Sequence, residues 1–143
     1  MKGSAQPIRR PNRTLGGVHD EFWTHCSSNR LFLQVCADCT QLQWPPTQSC
    51  RDCNGVRLTW TFVSGRGRVV SWCSFFQQYY DSLAVPYDVI LVELDEGPMF
   101  VSNPGNFSVG SLDLGARVQV QFIHCRDDVG EFELPVFALL VEP

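Results

Sequence analysis

The period of the apolar positions changes along this chain, and the changes mark its elements. Val18, Phe22 and Cys26 fall at i, i+4 and i+8 with Trp23 beside them, which predicts a short amphipathic helix over residues 18–28. Asp20 and Glu21 lie in its first turn, where negative charge suits a helix N-terminus. Asn29 tolerates the left-handed conformation that often ends a helix. From residue 30 onward the pattern is β. Residues 30–36 read as a strand, residues 58–63 alternate in β-forming types, and Ser64-Gly65-Arg66-Gly67 reads as a turn. Further strands are predicted at 68–76, 86–94, 99–102, 117–123 and 135–141, the second of these segments (86–94) with an apolar centre that predicts burial on both faces. Turns at 95–98 and 127–130 and a longer connection over 103–116 separate them.

This order predicts a mainly β chain: a short N-terminal helix, a metal-held ribbon, then a roughly five- to six-stranded barrel of the OB type, with a small sandwich as the other closure. The expected divisions are a flexible basic arm over 1–16, the helix and ribbon over 17–57, and the barrel over 58–143. The arm carries Lys2, Arg9, Arg10 and Arg13 and little that could pack, so it is expected to be solvated.

The ribbon is announced by Cys36-Ala37-Asp38-Cys39 and Cys50-Arg51-Asp52-Cys53. A two-residue gap lets both sulfurs of a pair point at one ion, and two such pairs make a four-thiolate set. Zn²⁺ accepts such a set tetrahedrally with no position left for substrate, so a closed structural site is expected; iron in a rubredoxin-like role is the other metal that fits. Disulfides or ordinary buried thiols account less well for a repeated Cys-x-x-Cys doublet. About twenty residues cannot bury a core, so zinc must supply most of the ribbon's folding free energy.

Composition narrows the function. The chain has 143 residues, formal net charge −4 and a single lysine among eleven basic residues. Polyphosphate backbones are gripped by basic proteins through counterion release, so nucleic acid is the weaker partner. No run approaches the length of a membrane span, the N-terminus has no apolar signal core, and seven cysteines with four in metal spacing fit a reducing compartment, so a cytoplasmic location is expected.

Candidate catalytic groups are few. His124 and Cys125 are neighbours on a strand and point to opposite faces, so they cannot form a dyad. Cys26, Cys73 and Cys125 are expected as buried small hydrophobes, and Asp127, Asp128, Asp95 and Glu96 as solvated turn residues. Neither a GxSxG, an HExxH nor a Walker-type loop is present. The rings of Trp60, Phe62, Trp72, Phe75, Phe76, Tyr79 and Tyr80 are dense enough to stack bases, so a single-stranded nucleic-acid-binding OB-fold module is the alternative reading.

With ribbon and barrel in this order, residues 17–143 resemble the acyl-CoA-associated proteins of bacteria and archaea that join a rubredoxin-like zinc ribbon to a C-terminal OB-fold. The likeness rests on Glu21-Phe22-Trp23, Arg30-Leu31, the four cysteines, Pro45-Pro46 and Val63-Ser64-Gly65-Arg66-Gly67. The chain departs from that pattern at Thr47, where the family commonly has a basic residue, and at Thr40, where it commonly has glycine. The resemblance implies a non-catalytic subunit that docks on a thiolase-fold enzyme or a hydratase and helps enclose a CoA thioester, as in the small subunit of benzoylsuccinyl-CoA thiolase. CoA phosphates call for arginine forks and free N–H groups, for which Arg66, Arg68 and Arg51 are the candidates. Phe22, Trp23 and Trp44 on the helix and ribbon, and Asn103 and Phe107 on the long loop, are the expected docking residues.

Overall fold

A computed structural model describes residues 6–140; Lys2 of the basic arm and Val141 of the last expected strand lie outside them. The elements are β1 (Ile8–Arg9), α1 (Val18–Cys26), β2 (Phe32–Cys36), β3 (Leu42–Gln43), β4 (Leu58–Phe62), β5 (Arg66–Phe75), β6 (Tyr87–Leu94), β7 (Met99–Ser102), β8 (Arg117–Arg126) and β9 (Glu131–Leu139). No described helix is long and apolar enough to cross a membrane.

The large sheet runs β1-β8-β5-β6-β7, with β9 on the other side of β8. It curls so that β7 returns to β9. Pro104 bridges Phe137 in parallel, Gly105 N–H donates to Phe137 O at 2.7 Å, and Phe137 N–H donates to Asn103 O at 3.2 Å. This is the strand order of an OB barrel, as the sequence predicts. The register shift between Val69 and Ser71 lets the long β5 bend from one half of the barrel to the other.

Two glycines of the 64–67 turn are required by packing. Gly65 has φ +72°, and a Cβ there would stand 2.2 Å from Val120 Cγ1. A Cβ on Gly67 would meet Glu93 O at 2.4 Å. Without a Cβ at these two positions, β5 crosses close to β6 and β8.

Ile90, Val92, Leu94, Val118 and Phe137 fill the barrel and are continuous with Phe22, Cys26, Leu31 and Leu33 of the helix and ribbon, forming one core. An aromatic path carries the connection: Phe22 to Trp44 at 4.5 Å, Trp44 to Phe100 at 4.5 Å, and Phe100 to Phe137 at 5.9 Å between ring centres.

The structure corrects several sequence expectations. Residues 58–62 do not begin the barrel: β4 pairs along its whole length with β2, making a β3-β2-β4 sheet around the ribbon. The segment expected as a flexible arm is fixed over residues 8–14. Ile8 pairs with Cys125 and Arg9 with Arg126, on the stretch of β8 that β5 leaves free, and Arg10 N–H extends the ladder to Arg126 O at 2.9 Å.

Arg13 explains the anchoring. Its guanidinium reaches Asp127 at 2.8 Å and lies 4.3 Å from the Phe132 ring centre. Asp127 also accepts N–H groups from Arg13, Val129 and Gly130, so this expected solvated carboxylate is a buried hub. On β6, Ile90, Val92 and Leu94 are buried while Tyr87, Val89 and Leu91 are only half-buried, so one face is covered rather than both. Cys73, on the corresponding outer face of β5, is exposed and not buried as expected.

Candidate functional site: a metal ribbon beside an apolar cavity

Each cysteine pair sits on a one-turn knuckle. Thr40 N–H donates to Cys36 O at 2.8 Å and Asn54 N–H to Cys50 O at 2.9 Å. The closing residues, Thr40 (φ +64°) and Asn54 (φ +61°), both take the left-handed conformation, which Asn adopts easily and a β-branched Thr does not. Asp52 and Gly55 N–H groups point at the sulfurs of Cys50 and Cys53, at 3.4 Å each.

The four sulfurs lie within 4.8 Å of one another, with Cys36–Cys53 and Cys39–Cys50 at 3.6 Å. A tetrahedral zinc with bonds of about 2.3 Å needs sulfur separations of roughly 3.8 Å, so the set fits the ion. Four thiolates complete its coordination and leave the metal a structural role.

Thr47 has a use unrelated to phosphate. Gln34 holds it from both sides, accepting Thr47 N–H at 2.8 Å and donating to Thr47 O at 2.9 Å, while Gln43 donates to its hydroxyl at 2.7 Å. Gln34 and Gln43 are buried and bonded to each other at 2.8 Å. This closed polar network fixes the loop that presents Trp44 to the barrel.

The phosphate candidates do not converge. Arg51 donates to Trp44 O and Pro45 O at 2.7 and 2.9 Å, Arg66 to Gln119 at 3.0 Å, and Arg68 pairs with Glu93 at 2.7 Å. Ser64 N–H already meets the Glu96 carboxylate at 2.8 Å, so the turn supplies its own acid.

The docking candidates do come together. Phe22, Trp23, Trp44 and Asn103 all line one cavity of 420 Å³ between the helix, the ribbon loop and the barrel. Phe107 lies in an adjoining depression with Asn103 and Arg10. Phe22 is only 3 % exposed, so its ring serves the interior rather than an outer docking face.

The cavity follows from β9. Ser102 Oγ donates to Pro135 O at 2.9 Å, so Pro135 turns its polar side towards β7. A proline there has no N–H to give, and the seam that closes at Phe137 opens beside Leu134 and Pro135. α1 and residues 44–46 roof the opening. Arg10 in its wall went unrecognised in the sequence, because only the pairing of β1 with β8, more than a hundred positions away, carries it there.

Cys125 and His124 face opposite ways, as neighbours on a strand must. Cys125 is buried and burial raises its pKa to about 11, as it raises that of Cys26 to about 12. His124 points outward, where a hydrogen bond to Glu133 at 2.7 Å raises its pKa. Of the candidate stacking rings, Trp60 and Phe62 belong to the ribbon sheet, Trp60 donates to Glu21, and Phe75 stacks on Tyr87 at 5.0 Å. Phe76 (77 % exposed), Tyr79 and Tyr80 remain open on one loop.

Residues 23–59 match the family described as ChsH2, rubredoxin-like zinc ribbon domain, and residues 60–122 match ChsH2, C-terminal OB-fold domain. A curated relative is a probable enoyl-CoA hydratase alpha subunit of Thermomonospora curvata, 30 % identical over 117 residues. The match takes in 81 % of this chain but 36 % of that protein, so the chain spans about a third of the relative's length. Among solved structures, an Ltp2-ChsH2(DUF35) aldolase superposes with TM-score 0.74 at 27 % identity, over 85 % of this chain and 93 % of that one. A protein of unknown function from the DUF35 family of Sulfolobus solfataricus shares the fold at TM-score 0.55 and 16 % identity, over 73 % and 78 % of the two chains.

Proposed function

The chain belongs to the zinc-ribbon and OB-fold family of ChsH2, and on that premise we propose that it is a non-catalytic subunit that docks on a thiolase-type enzyme and supports its binding of acyl-CoA or its cleavage of a C–C bond. The observation that carries the reading is the apolar cavity at the junction of ribbon and barrel, beside four cysteine sulfurs that would fill all four positions of a zinc ion. Such a chain offers a partner a shaped apolar wall rather than reacting groups. The names of the relatives supply the class of chemistry: one is a CoA-thioester hydratase subunit, the other an aldolase assembled with a second protein. A hydratase-type partner is therefore the other enzyme class to expect, and a CoA thioester bound jointly with the partner is the expected ligand.

The open loop at Phe76, Tyr79 and Tyr80 adds exposed aromatic surface of the type enriched at interfaces. It flanks the strap that carries Arg10, since Tyr79 and Tyr80 share a second depression with Arg9 and Arg10. This loop, with Trp23, Trp44, Asn103 and Phe107, is the docking surface of the proposal. The arginines beside the barrel rings are engaged with Gln119 and Glu93, which argues against a base-stacking groove.

The test is isolation of the tagged protein from its own cells. A thiolase-fold or hydratase-fold enzyme recovered in stoichiometric amount is the expected result. Recovery of nucleic acid and ribonucleoproteins without such an enzyme contradicts the proposal.

A further inference from the structure

The cavity wall holds an arginine, Arg10, that has no carboxylate partner among the described residues. Arg10, Arg13 and Arg117 are the half-buried arginines of the described residues. Arg13 faces Asp127 at 2.8 Å, and Arg117 grips Asp95 with two hydrogen bonds of 2.7 and 2.8 Å. Among the described residues the Arg10 guanidinium meets an amide: its Nη2 donates to Asn103 Oδ1 at 3.0 Å. No ion pair to Arg10 is found among the described residues. Asp88, which flanks the adjoining depression, accepts from Ser74 Oγ at 2.7 Å and from Val109 N–H at 3.4 Å.

Asn103 is held in turn, donating to Asp88 O at 2.7 Å, which aims its oxygen at Arg10. The strand ladder fixes the arginine backbone, with Arg10 N–H on Arg126 O at 2.9 Å. Desolvation lowers the Arg10 pKa, yet a guanidinium stays charged throughout the accessible pH range. Several of its donors remain for a ligand, in a fork that matches a carboxylate. The walls beside it are the rings of Phe22, Trp23, Trp44 and Phe100.

We propose that this cavity takes an apolar acyl group bearing a carboxylate, which Arg10 receives while Asn103 holds the guanidinium in place. The origin of such a group in CoA-thioester metabolism rests on the function proposed above; the cavity's preference for a carboxylate does not. The carboxylate belongs either to a free acid or to the far end of an acyl-CoA.

Tryptophan fluorescence of the full zinc-loaded chain reads occupancy, because Trp23 and Trp44 line the site. 4-Phenylbutanoate is expected to bind at least about ten-fold more tightly than its methyl ester. Arg10→Gln should remove that difference and leave ester affinity unchanged. The CoA thioester of azelaic acid, compared with that of nonanoic acid, distinguishes the two sources: preference for the former assigns the carboxylate to a thioester, and equal affinity assigns it to a free acid. Equal binding of acid and ester by the wild type, no binding of either, or an acid preference that survives in Arg10→Gln would overturn the proposal. The first comparison needs no variant, so it decides even if Arg10→Gln fails to fold. A carboxylate-selective chain that recovers no CoA-thioester enzyme from cells keeps this inference and removes the subunit reading; the opposite pair of results does the reverse.

Discussion

Cys36→Ser is expected to abolish stoichiometric zinc binding and unfold the ribbon while the barrel strands stay paired. A serine oxygen cannot replace a thiolate in a closed four-sulfur site, and structural zinc contributes about 10–16 kcal/mol to the folding of such units. Cys36 ends β2 and pairs with Leu58 of β4, so the knuckle and the ribbon sheet lose their anchor together. Trp44 then loses the loop that holds it against Phe100, and the cavity loses part of its roof. The barrel keeps its own closure through β8, β9 and the Asn103–Gly105 seam. Metal analysis with amide hydrogen exchange checks this. Amides of Phe32–Cys36 and Leu58–Phe62 should exchange at about the unfolded rate while those of Val118–Cys125 remain protected. Full zinc content with protected ribbon amides would contradict the expectation.

Arg13→Ala is expected to cost about 3–5 kcal/mol at neutral pH, far more than an ordinary surface ion pair. The partners' side chains are 11 % and 0 % exposed, and removing the guanidinium leaves Asp127 as a buried charge held only by backbone N–H groups. The ring stack of Arg13 on Phe132 and Trp23 goes with it. The hydrogen bond from Arg13 is the leading reason the Asp127 carboxyl titrates well below the usual carboxylate range. Its pKa is therefore lower in the folded than in the unfolded chain. The resulting stability is fully present above the unfolded value of about 3.9 and fades as pH falls towards the folded one. Denaturant unfolding should show the full deficit of Arg13→Ala at pH 7, a smaller one near pH 3, and a further decrease as pH falls towards the folded value. A deficit of equal size throughout would mean that packing, not charge, holds the strap.

The zinc ligands and barrel strands were readable from the sequence because their signals are local: a two-residue gap between cysteines, and alternation along residues 117–123. The helix was readable for the same reason, with Phe22 and Cys26 buried as its stripe requires. What escaped depends on distant partners. Arg9, Arg10 and Arg13 look like a solvated basic tail until β8 and Asp127 are placed beside them. Leu58–Phe62 has the composition of a barrel strand, and only pairing with β2 assigns it to the ribbon. Cys73 was misjudged because the shift between Val69 and Ser71 resets which residues of β5 face outward. The candidate site is half legible in the sequence: its aromatic lining lies near the cysteines, whereas Arg10 reaches it only through the pairing of β1 with β8.

Thr47 has its hydroxyl and backbone locked between Gln34 and Gln43, and Glu96 occupies the Ser64 N–H of the 64–67 turn. The proposal accordingly places anion recognition at Arg10, while Arg66 and Arg68 are engaged by Gln119 and Glu93.

The central claim is that this chain is a required, non-reacting subunit of an enzyme acting on CoA thioesters. The most direct measurement is turnover of a CoA thioester by the isolated complex, by the partner stripped of this chain, and by the partner after the wild-type chain is restored. The account predicts loss of turnover on stripping, recovery on restoration, and none from this chain alone. Full turnover by the stripped partner, or turnover by this chain in isolation, would contradict it.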